Sequence, residues 1–169
     1  ISLVVLLLGF STNTLLAQVA VSGANVGNGP SYATLQAAFA AINVAGNNGS
    51  GPISVVLSGN TTETATAVLD NFTWASVTVT ATVPVTVQGN ITGAIIKLNG
   101  ADNVTIDGRI AGVGRNITVQ NNSTATATAA IWLASVVAAN GATNNTIRNL
   151  ELACGVTQNT GSLPTFGII

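Results

Sequence analysis

An aspartate and an arginine two positions apart are the residues best suited to chemistry in this 169-residue sequence. Asp107 and Arg109 follow the alternating run Val104-Thr105-Ile106, so we expect both where a strand ends in a turn. Hydrolysis of a glycosidic bond needs a pair of carboxylates, and Asp102 is the nearest carboxylate to Asp107. Asp107 and Arg109 are therefore the best catalytic candidates, although we favour a structural interpretation in which Asp107 accepts turn amides and Arg109 is solvated.

Nucleophilic catalysis and metal chemistry find little support in the sequence. Cys154 is the only cysteine, and the chain has no histidine that would activate its thiol. The residue follows the run Leu150-Glu151-Leu152-Ala153, so we interpret it as a small buried side chain without a disulfide partner. We predict neither a metal site nor a cofactor.

Aromatic side chains are the candidates for ligand binding, because their rings can stack on sugar rings. Trp74 and Trp132 are the main candidates, and Tyr32 is a third. Trp132 occupies the position in its segment that Ile96 and Ile169 occupy in theirs, which favours a place in the core.

The composition excludes two broad classes of protein. Hydrophobic residues make up 47% of the chain and charged residues only 5%, which is incompatible with intrinsic disorder. Four basic residues stand against five acidic ones, so a phosphate backbone has no basic surface to bind, and no nucleic-acid partner is predicted. Hydroxyl and amide side chains must keep the surface soluble, which suits short strands joined by turns.

The first seventeen residues have the pattern of an export signal. Leu3–Phe10 is an apolar run too short to cross a membrane, which takes about 20 residues, and it is typical of the central region of a signal peptide. We predict a truncated signal peptide over residues 1–17, with cleavage after Ala17 and no other membrane span. The alternative is a buried N-terminal strand. The start at Ile1 and the apolar run at 166–169 indicate a fragment of a longer protein.

Two kinds of periodicity divide the rest of the chain. Residues 31–43 are predicted to form one helix with Ser31 as its N-cap, because apolar residues recur at spacings of three and four, at Leu35, Ala38, Phe39 and Ile42. From about residue 52 the period changes to two. It is clearest over Val77–Val87, where valines alternate with threonines and Pro84 is expected to mark a corner between two strands.

A longer repeat appears when the short strands are compared. The triplet Ala94-Ile95-Ile96 aligns with Ala130-Ile131-Trp132 at an offset of 36 (94 to 130), and with Gly167-Ile168-Ile169 at a further 37 (130 to 167). About three strands fall in each unit, which predicts a three-sided solenoid. Asparagines precede several of the strands, at positions 103, 116 and 145. We expect their side-chain amides to stack on one another at the corners of the solenoid. The main alternative is an antiparallel sandwich.

These segments together resemble a known family. The helix TLQAAFAAIN at 34–43 is followed by AIIKLNGADNVTIDGR, RNITVQN, AAIWLAS and NNTIRNLEL, a series similar to the N-terminal part of right-handed parallel β-helix proteins of the pectin-lyase-like superfamily. The likeness is greatest to large, low-charge secreted or surface proteins of bacteria that end in a sorting domain. It covers residues 31–169 and implies an all-β right-handed parallel β-helix over 18–169, capped by the helix and incomplete at its C-terminus. The family's paired aspartates, histidine and basic clamp have no match here.

Three functions follow as expectations. The first is a non-catalytic exported or cell-surface module, adhesin-like or glycan-binding, whose partner is a polysaccharide or cell-surface glycan. The second is the N-terminal segment of a polysaccharide-degrading enzyme to which Asp107 and Arg109 contribute. The third is an ice- or surface-binding face, formed if the threonine runs at 78–82 and 124–128 stack into a flat array.

Overall fold

A computed structural model describes residues 18–155 and 166–169. The signal peptide predicted over residues 1–17 lies outside the described residues. The described chain contains one α-helix, α1 (Leu35–Ile42), a short 3-10 helix at Ala45–Asn47, and fourteen strands. The strands are β1 (Val19–Ser22), β2 (Gly29–Tyr32), β3 (Ser50–Leu57), β4 (Thr61–Glu63), β5 (Ala67–Asp70), β6 (Trp74–Ala81), β7 (Val85–Gly89), β8 (Ala94–Asn99), β9 (Val104–Asp107), β10 (Ile117–Asn121), β11 (Ala129–Ala134), β12 (Thr146–Arg148), β13 (Leu150–Cys154) and β14 (Phe166–Ile168).

The predicted helix exists, with a later start. Its four periodic apolar residues, Leu35, Ala38, Phe39 and Ile42, are all buried, as expected of an amphipathic helix packed on a core. The N-cap is Thr34 and not Ser31, because the Thr34 hydroxyl accepts the N–H of Ala37 at 3.0 Å. Residues 29–32 belong to strand β2 instead.

The predicted corner at Pro84 is confirmed. β6 ends at Ala81 and β7 begins at Val85, and the two strands lie in different sheets. Proline has no N–H to donate to a ladder, so it fits between two strands better than inside one.

Three sheets are built from these strands. Sheet A has the order β12-β9-β6-β3-β1-β2, sheet B the order β13-β10-β7-β4, and sheet C the order β14-β11-β8-β5. Each strand from β3 to β11 pairs in parallel with the strand three places later in the chain. Apolar residues align along these ladders and bury the core, for example Val55, Val79 and Ile106 in sheet A.

The predicted fold class, a single right-handed parallel β-helix forming a three-sided solenoid, is wrong. The described strands form three separate sheets, and sheet A is mixed, since β1 pairs antiparallel with both β2 and β3. The chain reverses direction at this edge because the Gly- and Asn-rich segment after Ser22 allows tight turns, with Gly23 and Gly27 both at positive φ. The structure is mostly β, with three mostly parallel sheets and one helix. An antiparallel sandwich does not describe it either.

The predicted alignment of the repeat is wrong by one residue at its first step. Ala94 pairs with Ala129 and not Ala130, and Ile96 pairs with Ile131 and not Trp132. A slip of one residue moves every side chain to the opposite face of a strand. Ile131 is therefore fully buried, whereas Trp132 is 40% exposed and not in the core.

The asparagines at the corners bond to backbone and not to one another. The side chain of Asn145 accepts the N–H of Val104 at 2.8 Å and donates to the carbonyl of Ala101 at 2.8 Å. The side chain of Asn116 donates to the carbonyl of Val113 at 2.9 Å. Asn103 adopts a left-handed φ of 59°, which asparagine tolerates better than most residues. Their recurrence therefore reflects turn geometry and strand capping, and not a stack of amides.

Candidate functional site

The carboxylate of Asp107 lies at the end of β9 and is held by three neighbouring side chains. Arg109 donates to it through Nη2 at 2.7 Å and through Nε at 3.1 Å. Arg148, the register partner of Asp107 on β12, donates through Nε at 3.0 Å, and its Nη2 forms an ion pair with the same oxygen at 3.0 Å. Asn149 donates through Nδ2 at 3.2 Å, and the backbone N–H of Arg109 adds a bond of 3.1 Å.

This arrangement opposes proton transfer by Asp107. The hydrogen bonds from Arg109 hold the pKa of the Asp107 carboxyl well below its usual range, with smaller contributions from Asn149 and Arg148 against the effect of burial. The same contact raises the pKa of Arg109. A carboxylate that stays ionised cannot act as a general acid, and a guanidinium stabilised as a cation is a poor base. One half of the structural interpretation fits this geometry, since Asp107 accepts the turn N–H of Arg109. The other half is wrong, because the Arg109 guanidinium is ion-paired with Asp107 and not simply solvated.

Asp102 does not join this group. Its Oδ1 atom accepts the N–H of Thr143 at 2.6 Å and the Thr143 hydroxyl at 2.7 Å, which fixes the loop before β12. Within residues 18–155 and 166–169, no group of three or more His, Cys, Asp or Glu side chains could hold a metal ion. The carboxylate nearest to Asp107 in sequence, that of Asp102, is thus bonded to Thr143 and takes no part in the hydrogen bonds around Asp107.

The two candidate tryptophans lie in opposite environments. Trp74 is buried, its Nε1 donates to the carbonyl of Asp102 at 2.9 Å, and its ring centroid lies 6.2 Å from that of Phe72. Burial leaves no face of Trp74 for a ligand. The third aromatic candidate, Tyr32, is half-buried and donates its hydroxyl to the carbonyl of Gly27 at 2.7 Å.

Trp132 lies on the outer side of sheet C beside Lys97. The two residues are direct register partners on β11 and β8, and the Lys97 ammonium lies 5.0 Å from the centroid of the indole ring. This is a cation–π contact. The same outward side of β8 carries Asn99, whose Nδ2 donates to Asp70 on β5 at 2.8 Å. We call Lys97, Trp132, Asp70 and Asn99 the Trp132 face.

Comparison with protein-family models, curated proteins and solved structures finds no match for this chain. The resemblance to the pectin-lyase-like superfamily therefore stays a prediction.

The two threonine runs do not form a common array. Residues 78–80 lie on β6, but the run at 124–128 lies in the loop before β11, where Thr128 is buried. Sheet A instead carries a hydroxyl column, in which successive strands place a serine or threonine in register on the outward side, at Ser54, Thr78, Thr105 and Thr146.

Glu63 is a buried charged residue that the sequence analysis missed. It ends β4 at 2% exposure, and its two carboxylate oxygens accept the N–H groups of Leu35 at 3.0 Å and Gln36 at 2.9 Å. These are two of the unpaired donors at the start of α1, where negative charge is stabilised. No local pattern predicts the contact, because the partners are 28 and 27 residues away.

Cys154 is half-buried, and its thiol donates to the carbonyl of Phe166 at 2.9 Å. Burial raises the pKa of this thiol, so it is a weaker nucleophile at neutral pH than an exposed cysteine. Its apolar packing agrees with the interpretation as a structural residue. No helix of the described residues is both long enough and apolar enough to cross a membrane.

Proposed function

We propose that this chain is a non-catalytic glycan-binding module, exported to a cell surface, that binds its ligand through the Trp132 face. The observation that carries the proposal is the exposed indole of Trp132 in the middle of a regular strand. Trp132 is the only aromatic residue among the exposed large apolar side chains of the described chain. The exported location rests on the apolar run at residues 3–10.

Packing energetics argue that Trp132 has a role outside the fold. Full burial of a large apolar side chain contributes about 1.5 to 3 kcal/mol, and part of that contribution is lost at Trp132, which is 40% exposed. The contact with Lys97 recovers only about 0.5 to 1 kcal/mol, as is typical of exposed cation–π pairs. A large aromatic ring left in solvent at such a cost is typical of binding surfaces.

The polar groups on the Trp132 face suit a sugar. The C–H side of a sugar ring packs on an indole, while its hydroxyls require hydrogen-bond donors and acceptors at the ring edge. Lys97 offers an ammonium with no salt-bridge partner in the described chain, and the Asp70–Asn99 pair offers both a carboxylate and an amide. Apolar and polar groups therefore lie side by side on one face.

Catalysis is not part of the proposal. Asp107 is fully engaged with Arg109, Arg148 and Asn149, and its carboxylate is not free to attack or protonate a substrate.

A second candidate function, ice or surface binding, is favoured by one observation, the hydroxyl column of sheet A. Measurable thermal hysteresis would support that second function, and a value of zero would dispose of it.

A glycan array tests the proposal. We expect the chain to bind a defined subset of glycans and the Trp132→Ala variant to lose those signals. Val136→Ala is the matched control, since Val136 is also exposed and apolar but lies beyond the end of β11. Depolymerisation of an array polysaccharide by the chain would overturn the non-catalytic assignment, and equal binding by the Trp132→Ala variant would overturn the site.

A further inference from the structure

Three of the four basic residues of the chain lie around one corner of the fold. Arg109 and Arg148 both contact Asp107. Arg115 immediately precedes Asn116, whose backbone N–H and side-chain amide both donate to the carbonyl of Gly108, at 2.7 and 3.2 Å. The loop that carries Arg115 is therefore anchored to the residue between Asp107 and Arg109.

The negative and positive side chains at this corner differ in their exposure to solvent. The side chain of Asp107 is 12% exposed, whereas those of Arg109 and Arg148 are 36% and 49% exposed. The carboxylate thus lies beneath the two guanidinium groups, and the outward surface is positive. One carboxylate against two cations leaves a surplus positive charge before Arg115 is counted.

The two guanidinium groups are held close together. Both Nη2 atoms bond to the same oxygen, Oδ2 of Asp107, at 2.7 and 3.0 Å. They are therefore no more than about 6 Å apart, a separation at which like charges near a protein surface repel appreciably. Neutralising Asp107 requires only one arginine, so the second cation is not explained by charge pairing within the fold. A second anion above the pair would relieve the repulsion.

The unused hydrogen-bond donors are in place for such an anion. No hydrogen bond within residues 18–155 or 166–169 uses the Nη1 atom of Arg109 or Arg148. The charge-assisted bonds to Asp107 fix the orientation of both guanidinium planes before any ligand arrives, which reduces the entropy lost on binding. Planar guanidinium groups donate paired hydrogen bonds to carboxylate, sulfate and phosphate oxygens.

We infer that Arg109 and Arg148 form a binding site for an oxyanion of a partner molecule, a carboxylate, sulfate or phosphate group, held above Asp107 by their free Nη1 groups. Arg115 is exposed on the loop that Asn116 anchors to Gly108, and it is the third basic residue near this corner. The site is independent of the Trp132 face, so either can fail without the other.

Titration followed by arginine side-chain NMR tests the site. The chain is titrated separately with sodium acetate, sulfate and phosphate, with chloride used to keep ionic strength constant. We expect the Nε–H signals of Arg109 and Arg148 to shift and saturate with at least one anion. Saturation with acetate assigns a carboxylate ligand, and saturation with sulfate or phosphate assigns a tetrahedral one. Shifts that never saturate, or that are equal at every arginine, would overturn the inference.

Variants distinguish a specific arginine site from nonspecific attraction of anions to positive charge. Arg148→Gln is expected to weaken binding about tenfold, which corresponds to about 1.4 kcal/mol. Arg148→Lys keeps the charge but loses the planar donors, so binding should stay well below that of the unmodified chain. Arg115→Gln has no bond to Asp107 to lose and should fold normally while binding somewhat more weakly. Lys97→Gln removes one positive charge from sheet C and is the control for anion binding at this corner only, because Lys97 belongs to the Trp132 face. A loss with Lys97→Gln equal to that with Arg148→Gln would contradict a specific site.

Discussion

The carboxylate of Glu63 at the end of β4 accepts a hydrogen bond from the backbone N–H of Leu35, the first residue of α1. Its second oxygen accepts the next N–H, that of Gln36, while Thr34 satisfies the N–H of Ala37. The first turn of the helix is thus capped by one local and one distant residue. This contact ties α1 to sheet B through a buried charge.

Replacing Glu63 with alanine is expected to lower the free energy of unfolding by about 2 to 3 kcal/mol. The substitution leaves two N–H groups at the helix start without their acceptors, and each unpaired buried donor costs about 1 to 3 kcal/mol. Urea unfolding followed by circular dichroism measures the change. Glu151→Ala is the control, because Glu151 is exposed. A loss no larger than that of the control would show that the cap contributes little.

The Asp107 network should make stability depend on pH. The pKa of Asp107 is lower in the folded chain than its unfolded value of about 4, so its stabilising effect is complete above that pH. It is lost progressively as the pH falls below 4 towards the folded pKa.

The Asp107→Asn variant should therefore be less stable than the unmodified chain at pH 7, by about 1 to 3 kcal/mol, with a smaller difference at pH 3. Urea midpoints at the two pH values provide the test. A difference of the same size at both would mean that the carboxylate's charge is not what stabilises the corner.

Two buried hydroxyls offer a stabilising substitution. The Oγ1 atoms of Thr61 and Thr128 are buried and have no hydrogen-bond partner among residues 18–155 and 166–169. Thr128→Val keeps the shape and removes the unpaired polar group, so it should raise the free energy of unfolding by about 1 kcal/mol. Thr126→Val, at an exposed position of the same loop, is the control and should change little. A destabilised Thr128→Val variant would show that the hydroxyl has a partner in solution.

Local patterns in the sequence predicted local structure well. The buried face of α1 follows from the spacing of Leu35, Ala38, Phe39 and Ile42, and the strand break at Pro84 follows from the missing N–H of proline. Both depend on interactions within a few residues. Local patterns did not identify the N-cap, which is Thr34 and not the predicted Ser31. Serine and threonine both cap helices, and Ser31 is excluded because it belongs to strand β2.

Local sequence patterns did not predict the contacts between segments that are distant in the chain. The offset between β8 and β11 is 35 residues (96 to 131), one fewer than the sequence suggested, and that single residue determines whether Trp132 faces the core or solvent. Arg148 and Asn149 reach Asp107 from 41 and 42 residues away. The antiparallel pairing of β1 that corrects the fold class likewise joins distant segments, because Val19 pairs with Leu57.

The most direct test of the proposed function is an equilibrium titration with the strongest glycan from the array, using the chain, Trp132→Ala and Trp132→Phe. An aromatic platform predicts that the alanine variant binds about tenfold more weakly or worse, that phenylalanine restores much of the affinity, and that both variants remain fully folded in the absence of urea. Unchanged affinity in a folded Trp132→Ala variant would contradict the account.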